Sequence, residues 1–312
     1  MRECRLVNRG VATLSSVSFH LNNKTKISDR RQSPMALGNF KPFQTVKINS
    51  YTQLDIVPYD SIESLTFEKC KDPKETLGGF YARKEKKPQI MINGGLFNMQ
   101  TGHNVMSFVC EGKEQNYQNG FTGMGILPGL PNLLQYGVDK ACQWQYFMTA
   151  YPMLVIKGKV NTDYGNASSL NYKTLRSGIG VRDNGDLLIL TVDKPGMLFA
   201  DMAKIFVQYN ALFAMNLDGG GSVRKMHEDK IVNTPTENRA VDNVFCVYLR
   251  EDPLAKLADK DEISPWARPY VERMIEDGIM QGDTNGKFRP KNPVTREELA
   301  IVIARTLEVM ES

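Results

Sequence analysis

Short apolar runs separated by turn residues dominate the chain between about residues 36 and 250. Runs rich in Val, Ile and Leu predict β-strands. The strands predicted in this way are Thr45–Asn49, Gln89–Asn93, Met153–Ile156, Gly178–Val181, Leu187–Val192 and Val244–Leu249. From Phe199 to Tyr209 the apolar residues recur at helical spacing instead, which predicts an amphipathic helix packed on the strands. The pattern therefore predicts an α+β (mixed α/β) domain with a mixed β-sheet and packed helices.

The end of the chain has helical periodicity on both sides of a compact turn. Pro265–Met280 predicts a helix that buries Trp266, Val271 and Ile275. A second helix is predicted to start with a capping box, in which Thr295 and Glu298 bond to each other's backbone N–H. We therefore divide the chain into an N-terminal basic extension (1–35), a main domain (36–250), a charged linker (251–263) and a small helical module (264–312).

Composition argues against several classes of protein. The chain is 41% hydrophobic and 24% charged, which is ordinary for a globular protein, and no apolar run is long enough to span a bilayer. The basic N-terminus precedes a stretch too polar for a secretory signal, so we expect synthesis in the cytoplasm without a signal peptide. The net charge of +4 comes without a basic stripe interleaved with aromatic residues, so nucleic acid is not an expected partner.

Cysteine and histidine usage gives no sign of a metal centre or a disulfide framework. The five cysteines are odd in number and widely spread, and the three histidines have no paired spacing. Such a pattern is typical of reduced thiols. No cofactor or metal is predicted, although Asp193 and Asp218, at neighbouring predicted strand ends, could share a metal ion.

A glycine-rich turn follows one of the apolar runs. The run Ala211–Leu217 includes Asn216 and leads directly into a carboxylate, three glycines and a hydroxyl, namely Asp218, Gly219, Gly220, Gly221 and Ser222. Glycines let a ligand approach the backbone closely, and the Asp supplies a charge or a proton carrier. The alternative is a glycine-rich hairpin whose Asp only caps the turn. The triple glycine and Asn216 favour a site.

A second turn of the same kind follows the strand predicted at Gln89–Asn93. Asn93 stands at its end, followed by Gly94, Gly95 and, a few residues later, Asn98. Alone, Asn93 and Gly94 indicate a hairpin turn. Two strands that both end in Asn and glycine favour a shared crevice at one edge of the sheet, where ligands collect in open sheets.

Two arginines stand near these turns in the predicted topology. Arg176 precedes an apolar strand, and Thr234, Glu237 and Arg239 precede the last strand of the main domain. An arginine in such a position is more often a surface ion-pair partner than a ligand. Beside a glycine crevice, however, a guanidinium suits bidentate recognition of phosphate.

These segments, in this order, resemble the phosphodiester glycosidase family, typified by N-acetylglucosamine-1-phosphodiester α-N-acetylglucosaminidase. The similarity covers about residues 40–250, and its most specific motif is Asn216–Ser222. The chain departs from the family pattern at Leu96 and Val223, where Phe and a second Ser are common. The resemblance implies a hydrolase that releases a sugar from a sugar-1-phosphodiester.

The resemblance also implies roles for individual residues. Asp218 would be the essential acid, as nucleophile, base for water or electrostatic stabiliser, and Glu237 is a candidate second carboxylate. Arg176 and Arg239 would bind the phosphate. The remaining residues of the predicted substrate-binding set are Asn93, Gly94, Gly95, Asn98, Asn216, Gly219, Gly220, Gly221, Ser222 and Thr234.

The C-terminal module resembles one S-layer homology repeat over about residues 264–309. Such repeats anchor proteins to cell-wall polymers, so a wall polymer is an expected partner. Family members usually carry three repeats, and self-association into a homo-oligomer would compensate for a single copy. A small helical packing module is the alternative.

Together the two resemblances predict a hydrolase that acts on a bacterial cell-wall or surface glycan, in a phage or prophage setting, after release or within a virion. Two alternatives remain open from the sequence. One is a non-catalytic glycan-binding or virion structural protein. The other is a phosphodiesterase for a different anionic ligand, such as a nucleotide.

Overall fold

The structure, a computed structural model, describes residues 43–71, 73–116, 121–138 and 143–311. The predicted N-terminal extension (1–35) lies outside these residues. One compact unit extends to Asp252, and a second begins at Pro253.

The first unit consists mainly of β-strands. Its strands are β1 Gln44–Asn49, β2 Thr52–Val57, β3 Ile62–Lys69, β4 Ile90–Asn93, β5 Phe108–Cys110, β6 Lys113–Asn116, β7 Thr122–Ile126, β8 Gln135–Val138, β9 Tyr146–Thr149, β10 Met153–Ile156, β11 Lys159–Val160, β12 Thr174–Arg182, β13 Leu187–Met197, β14 Ala211–Asn216, β15 Lys225–His227, β16 Lys230–Ile231 and β17 Asn243–Leu249. The helices are α1 Leu77–Arg83 and α2 Phe199–Gln208 in this unit, and α3 Arg268–Glu276 and α4 Arg296–Glu311 in the second. All six predicted strands and the helix predicted from Phe199 are confirmed.

The described strands form three sheets. Their orders are β1-β2-β13-β12-β14-β10-β11, β16-β15-β4-β17-β3 and β6-β5-β9-β7-β8. The predicted α+β class is confirmed, but every strand pair in the described residues is antiparallel, where a mixed sheet was expected. The reason is the position of β12. Helix α2 connects β13 to β14, which run in the same direction, but β12 lies between them and pairs with both in the opposite sense.

Two hydrophobic layers hold the largest sheet in place. On one face, Phe199, Met202 and Phe206 of α2 pack with residues such as Leu190 and Ala214. On the other face, alternate residues of the same strands belong to a core shared with the other two sheets. That core includes Ile179, Ile189, Met215, Ile92, Phe245, Phe108 and Met148. Because the strand period is two, β13 and β14 each supply residues to both layers.

The second unit has a much smaller core. Its buried residues include Leu254, Leu257 and Ile263, with Val271 and Ile275 partly buried against them. Residues 251–263 were predicted as a linker, but most of this stretch belongs to the unit, because its apolar side chains help to form the core. The predicted burial of Trp266 is also wrong. It precedes α3 and is 78% exposed.

The predicted capping box at the start of α4 is confirmed. The Thr295 N–H donates to Glu298 Oε2 at 2.8 Å, and the Glu298 N–H donates to Thr295 Oγ1 at 3.1 Å. No residue of α4 is buried, and several apolar side chains along it are about half exposed. No helix of the described residues is long and apolar enough to cross a membrane.

Candidate active site

The end of β14 brings Asp218 beside the end of β4. The Asp218 N–H donates to the Gly94 carbonyl at 2.9 Å, and its own carbonyl accepts from Asn93 Nδ2 at 2.9 Å and from Ser177 Oγ at 2.8 Å. Three segments that are far apart in the sequence therefore fix the backbone of this residue. The two glycine turns predicted to share a crevice do lie side by side.

The Asp218 carboxylate is partly exposed and receives several donors. The Gly219 N–H donates to Oδ1 at 2.9 Å. Burial raises the pKa of Asp218 to about 6, while hydrogen bonds from Ser222 and Gly219 and the charges of Arg239 and Arg176 act in the opposite direction. A carboxyl group with this pKa is ionised at neutral pH and still easily protonated.

The glycines after Asp218 lie where side chains would not fit. A Cβ on Gly219 would come within 3.0 Å of the Leu175 carbonyl oxygen, and Gly220 has a positive φ of 59°. A Cβ on Gly221 would lie 1.7 Å from Glu237 Oε1. The open backbone predicted for this turn is therefore present, and part of it is covered by Glu237.

Arg176 forms one wall of the site, and it is almost fully buried. Its Nε donates to the Met197 carbonyl at 3.2 Å, and its Nη2 donates to the carbonyls of Tyr172, at 2.8 Å, and Leu170. The guanidinium also stacks over the Phe199 ring, 4.1 Å from its centroid. Burial lowers the pKa of Arg176 to about 10. Most of its donors are thus used within the protein.

Arg239 and Glu237 lie beside Gly221, at the other end of the glycine turn. Arg239 Nη2 donates to Glu237 Oε1 at 2.6 Å, and Nη1 donates to Ser222 Oγ at 3.4 Å. The Ser222 hydroxyl in turn bonds to Asp218. Arg239 therefore reaches the carboxylate through a hydroxyl, and its side chain is 26% exposed.

Four other residues of the predicted substrate-binding set are either buried or lie in exposed loops. Asn93 and Asn216 are buried, and their Nδ2 groups donate to backbone carbonyls, including those of Asp218 and Tyr151. Asn98 is exposed, and its Oδ1 accepts from the N–H groups of residues 100 and 101 in a local turn. Thr234 is exposed, and its N–H donates to Asp193. The contacts of the two buried amides position the backbone of the site.

The sequence reasoning missed several residues that support the site. Ser177 holds the Asp218 carbonyl, and Asn243 Oδ1 accepts from the Gly95 N–H at 2.8 Å. Arg224, which is buried, donates to the Glu237 carbonyl and to Asn238 Oδ1. No local pattern marks these residues, because their partners come from other strands.

A buried ionic cluster lies near the loop that carries Glu237. Lys225 Nζ and His227 Nε2 lie 2.9 and 2.8 Å from Asp55 Oδ2, and both Lys225 and Asp55 are fully buried. Burial acts to raise the pKa of Asp55, but His227 and Lys225 outweigh it and hold this pKa below its usual value. The Lys225 N–H also donates to Asn233, at the base of the loop. The cluster thus joins β15 to β2 and supports the loop.

No group of three or more His, Cys, Asp or Glu side chains within the described ranges is arranged to hold a metal ion. Both carboxylate oxygens of Asp193, the residue considered with Asp218 as a metal pair, accept hydrogen bonds from Asn233 and Thr234. Cys70, Cys110 and Cys246 are free thiols.

The C-terminal unit and the main domain are each similar to known proteins. Residues 256–300 match the S-layer homology domain, and 65 residues are 35% identical to the surface-layer 125 kDa protein of Lysinibacillus sphaericus, over 20% of this chain and 6% of that protein. A stretch of 103 residues is 32% identical to the SPbeta prophage-derived uncharacterized protein YomE of Bacillus subtilis, over 30% of this chain and 16% of that protein.

The main domain is also similar to a mammalian enzyme. The bovine N-acetylglucosamine-1-phosphodiester alpha-N-acetylglucosaminidase is 23% identical over 192 residues, 51% of this chain and 36% of the enzyme. The chain thus spans well under two thirds of the length of each of these relatives.

A solved structure shows the same fold. The catalytic domain of the zebrafish N-acetylglucosamine-1-phosphodiester alpha-N-acetylglucosaminidase, auto-inhibited by its pro-peptide, superposes with a TM-score of 0.54 at 19% identity and covers 67% of this chain and 82% of its own. The family model described as phosphodiester glycosidase matches residues 86–248, just over half of the chain. The protein carries an S-layer homology domain at its C-terminal end and belongs to the phosphodiester glycosidase family.

Proposed function

We propose that this protein is a hydrolase that cleaves a sugar from a sugar-1-phosphodiester in a glycan of a bacterial cell surface. The observation that carries the proposal is Asp218, a carboxylate with a pKa of about 6 that lies on an open glycine turn between two arginines. An anion can approach Arg239 there, while the sugar carbon that loses the phosphate can approach Asp218.

The chemistry that this arrangement suits is departure of a phosphate from the anomeric carbon. The bond between C1 and the phosphate oxygen breaks, and the oxygen of water adds to C1. The phosphate leaves as a stable anion, so it needs little help from a proton donor. Stabilisation of the positive charge on the sugar and of the departing anion matters more. An ionised Asp218 stabilises the positive charge on the sugar, and Arg239 stabilises the departing phosphate.

Asp218 acts in its ionised form in this scheme, whether as nucleophile, as base for water or as electrostatic stabiliser. Its donors favour that form, since Ser222 and the Gly219 N–H both bond to the carboxylate. Glu237 stays a candidate second carboxylate, although it is paired with Arg239. The positive charge of Arg176 acts to lower the pKa of Asp218 and so favours its ionised form. Asn93 and Asn216 hold the turn through hydrogen bonds to backbone carbonyls.

The C-terminal unit would bring the enzyme to its substrate. S-layer homology domains suit attachment to a wall polymer, and one copy would attach more firmly after self-association. The prophage-derived relative favours a prophage setting for the protein. In that setting the enzyme would act at the cell wall after release from the cell or within a virion.

The decisive experiment is a panel of glycosyl-1-phosphodiesters, including N-acetylglucosamine-1-phosphodiesters, incubated with the wild type and the Asp218→Asn variant. We expect free sugar from the wild type and a loss of about a thousandfold or more in the variant. Asp201→Asn is the matched control, because the Asp201 side chain is about half exposed on α2 and pairs with Lys204 at the surface. Full activity in Asp218→Asn would disprove the assignment.

Labelled water separates this reaction from its closest alternative. Cleavage of the sugar C1–O bond puts the labelled oxygen on the sugar, whereas a phosphodiesterase puts it on the phosphate. Saturable binding of the glycan with no product from any diester would instead indicate a non-catalytic glycan-binding protein.

A further inference from the structure

Arg239 is paired with Glu237, a carboxylate of its own loop, and not all of its N–H groups form hydrogen bonds within the described residues. Its Nη2 is paired with Glu237 Oε1 at 2.6 Å, and its Nη1 makes only a long contact, 3.4 Å, with Ser222 Oγ. Its Nε is buried and donates to no residue in the part of the chain that the structure describes. The Nη1 and Nη2 groups can therefore bond to a different anion in place of Glu237.

The Glu237 carboxylate rests on the glycine turn. A Cβ on Gly221 would lie 1.7 Å from Glu237 Oε1 and 2.5 Å from Arg239 Nη2, so this ion pair depends on the absence of a side chain at position 221. The pair thus occupies the space directly above the open backbone of the proposed site. That space is the one a phosphate bound to Arg239 would need.

Arg224 holds the backbone of the loop, whereas the Glu237 side chain is half exposed. Arg224 Nη2 donates to the Glu237 carbonyl, and Arg224 Nη1 donates to Asn238 Oδ1. The Glu237 side chain is nevertheless 50% exposed, and Arg239 is the one ion-pair partner that the described residues give it. The carboxylate can turn into solvent while Arg239 and the loop stay where they are.

We propose that Glu237 occupies the phosphate subsite in the ligand-free protein and that an incoming phosphate displaces it from Arg239. Carboxylate and phosphate oxygens use the same N–H donors of a guanidinium. A partly exposed ion pair is weak, so a phosphate group that bonds to several N–H donors of Arg239 can replace it. Glu237 thereby keeps weakly bound anions off Arg239 and selects for phosphate. The identity of the substrate rests on the proposed function, but the exchange of anions does not require turnover.

The test is calorimetric titration of inorganic phosphate into the wild type and three variants at fixed ionic strength. Glu237→Gln keeps the shape of the side chain and removes its charge, so we expect phosphate to bind about two- to fivefold more tightly than to the wild type. Arg239→Ala should lose measurable binding. Glu63→Gln is the matched control, because Glu63 pairs with Lys86 at the surface and its replacement changes the net charge equally. This control should bind phosphate like the wild type.

Several outcomes would overturn the proposal. They are unchanged or weaker binding in Glu237→Gln, an equal gain in Glu63→Gln, retained binding in Arg239→Ala, or no phosphate binding in any variant. A loss of turnover in Glu237→Gln with unchanged phosphate affinity would identify Glu237 as a second catalytic carboxylate. If no diester releases sugar, the proposed function fails, but the titration still decides whether Glu237 and phosphate compete for Arg239.

Discussion

The two arginines near Asp218 differ in how their donors are used. Arg176 is 3% exposed, donates to three backbone carbonyls and stacks on Phe199. Arg239 is 26% exposed, and its strong partner is the half-exposed Glu237. The resemblance to the family predicts that both arginines bind the phosphate of the substrate. In the structure, Arg176 is buried and donates to three backbone carbonyls, whereas Arg239 is partly exposed and its Nε has no hydrogen-bond partner among the described residues, so the two arginines differ in burial and in their partners.

Of the two arginine replacements, that of Arg176 should have the larger effect, and it should be an effect on folding. Arg176→Ala removes three hydrogen bonds from the guanidinium to backbone carbonyls, so we expect the free energy of unfolding to fall by about 3 kcal/mol. Urea unfolding followed by circular dichroism measures this change. Arg239→Ala is the comparison and should cost less than about 1 kcal/mol. Equal losses in the two variants would remove the distinction between the arginines.

Removal of Arg239 should instead affect the substrate. A charge-assisted contact to the phosphate is lost in Arg239→Ala, so KM should rise roughly 10- to 100-fold in an unchanged fold. Steady-state kinetics on the best diester of the panel gives this value. If KM is unchanged and kcat falls, Arg239 acts on the transition state rather than on substrate binding.

The pH dependence of activity tests how Arg239 acts on the pKa of Asp218. Because the ionised carboxylate is the active form, kcat/KM should rise about tenfold per pH unit below about 6 and level off above it. Arg239 acts to lower the pKa of Asp218, so Arg239→Ala should move the midpoint to higher pH. Activity that falls as the pH rises through 6 would mean that Asp218 donates a proton.

The smallest effect is expected on the stability of Asp218→Asn. The pKa of Asp218 is about 6 in the folded protein against the ordinary value of 3.8, so the folded state binds more protons between these values. Wild-type stability should therefore fall as the pH rises from about 4 to about 6 and stay lower above that range. At neutral pH, Asp218→Asn should melt a few degrees higher than the wild type, and near pH 4 the two should agree. A lower Tm for the variant at both pH values would show that the carboxylate stabilises the fold.

Much of the local structure could be predicted from the sequence, because it depends on neighbouring residues. The capping box of Thr295 and Glu298 is an example, as is the helix that begins at Phe199. The glycine turn after Asp218 was also predictable, since an apolar run followed by an acid and three glycines has few local alternatives. The roles of the residues at this turn stay predictions until the variants are measured.

The sequence by itself therefore determined six of the described strands, three of the described helices and the acid at the end of β14, because hydrophobic period and turn chemistry act over a few residues. Only the tertiary structure decided which residues surround that acid. The site is supported from separate strands and loops by Ser177, Arg224 and Asn243. The guanidinium of Arg176 donates to backbone carbonyls around positions 170 and 197. The physical reason is that these hydrogen bonds form between segments that only the folded sheets bring together. A buried donor takes whichever acceptor the fold places beside it.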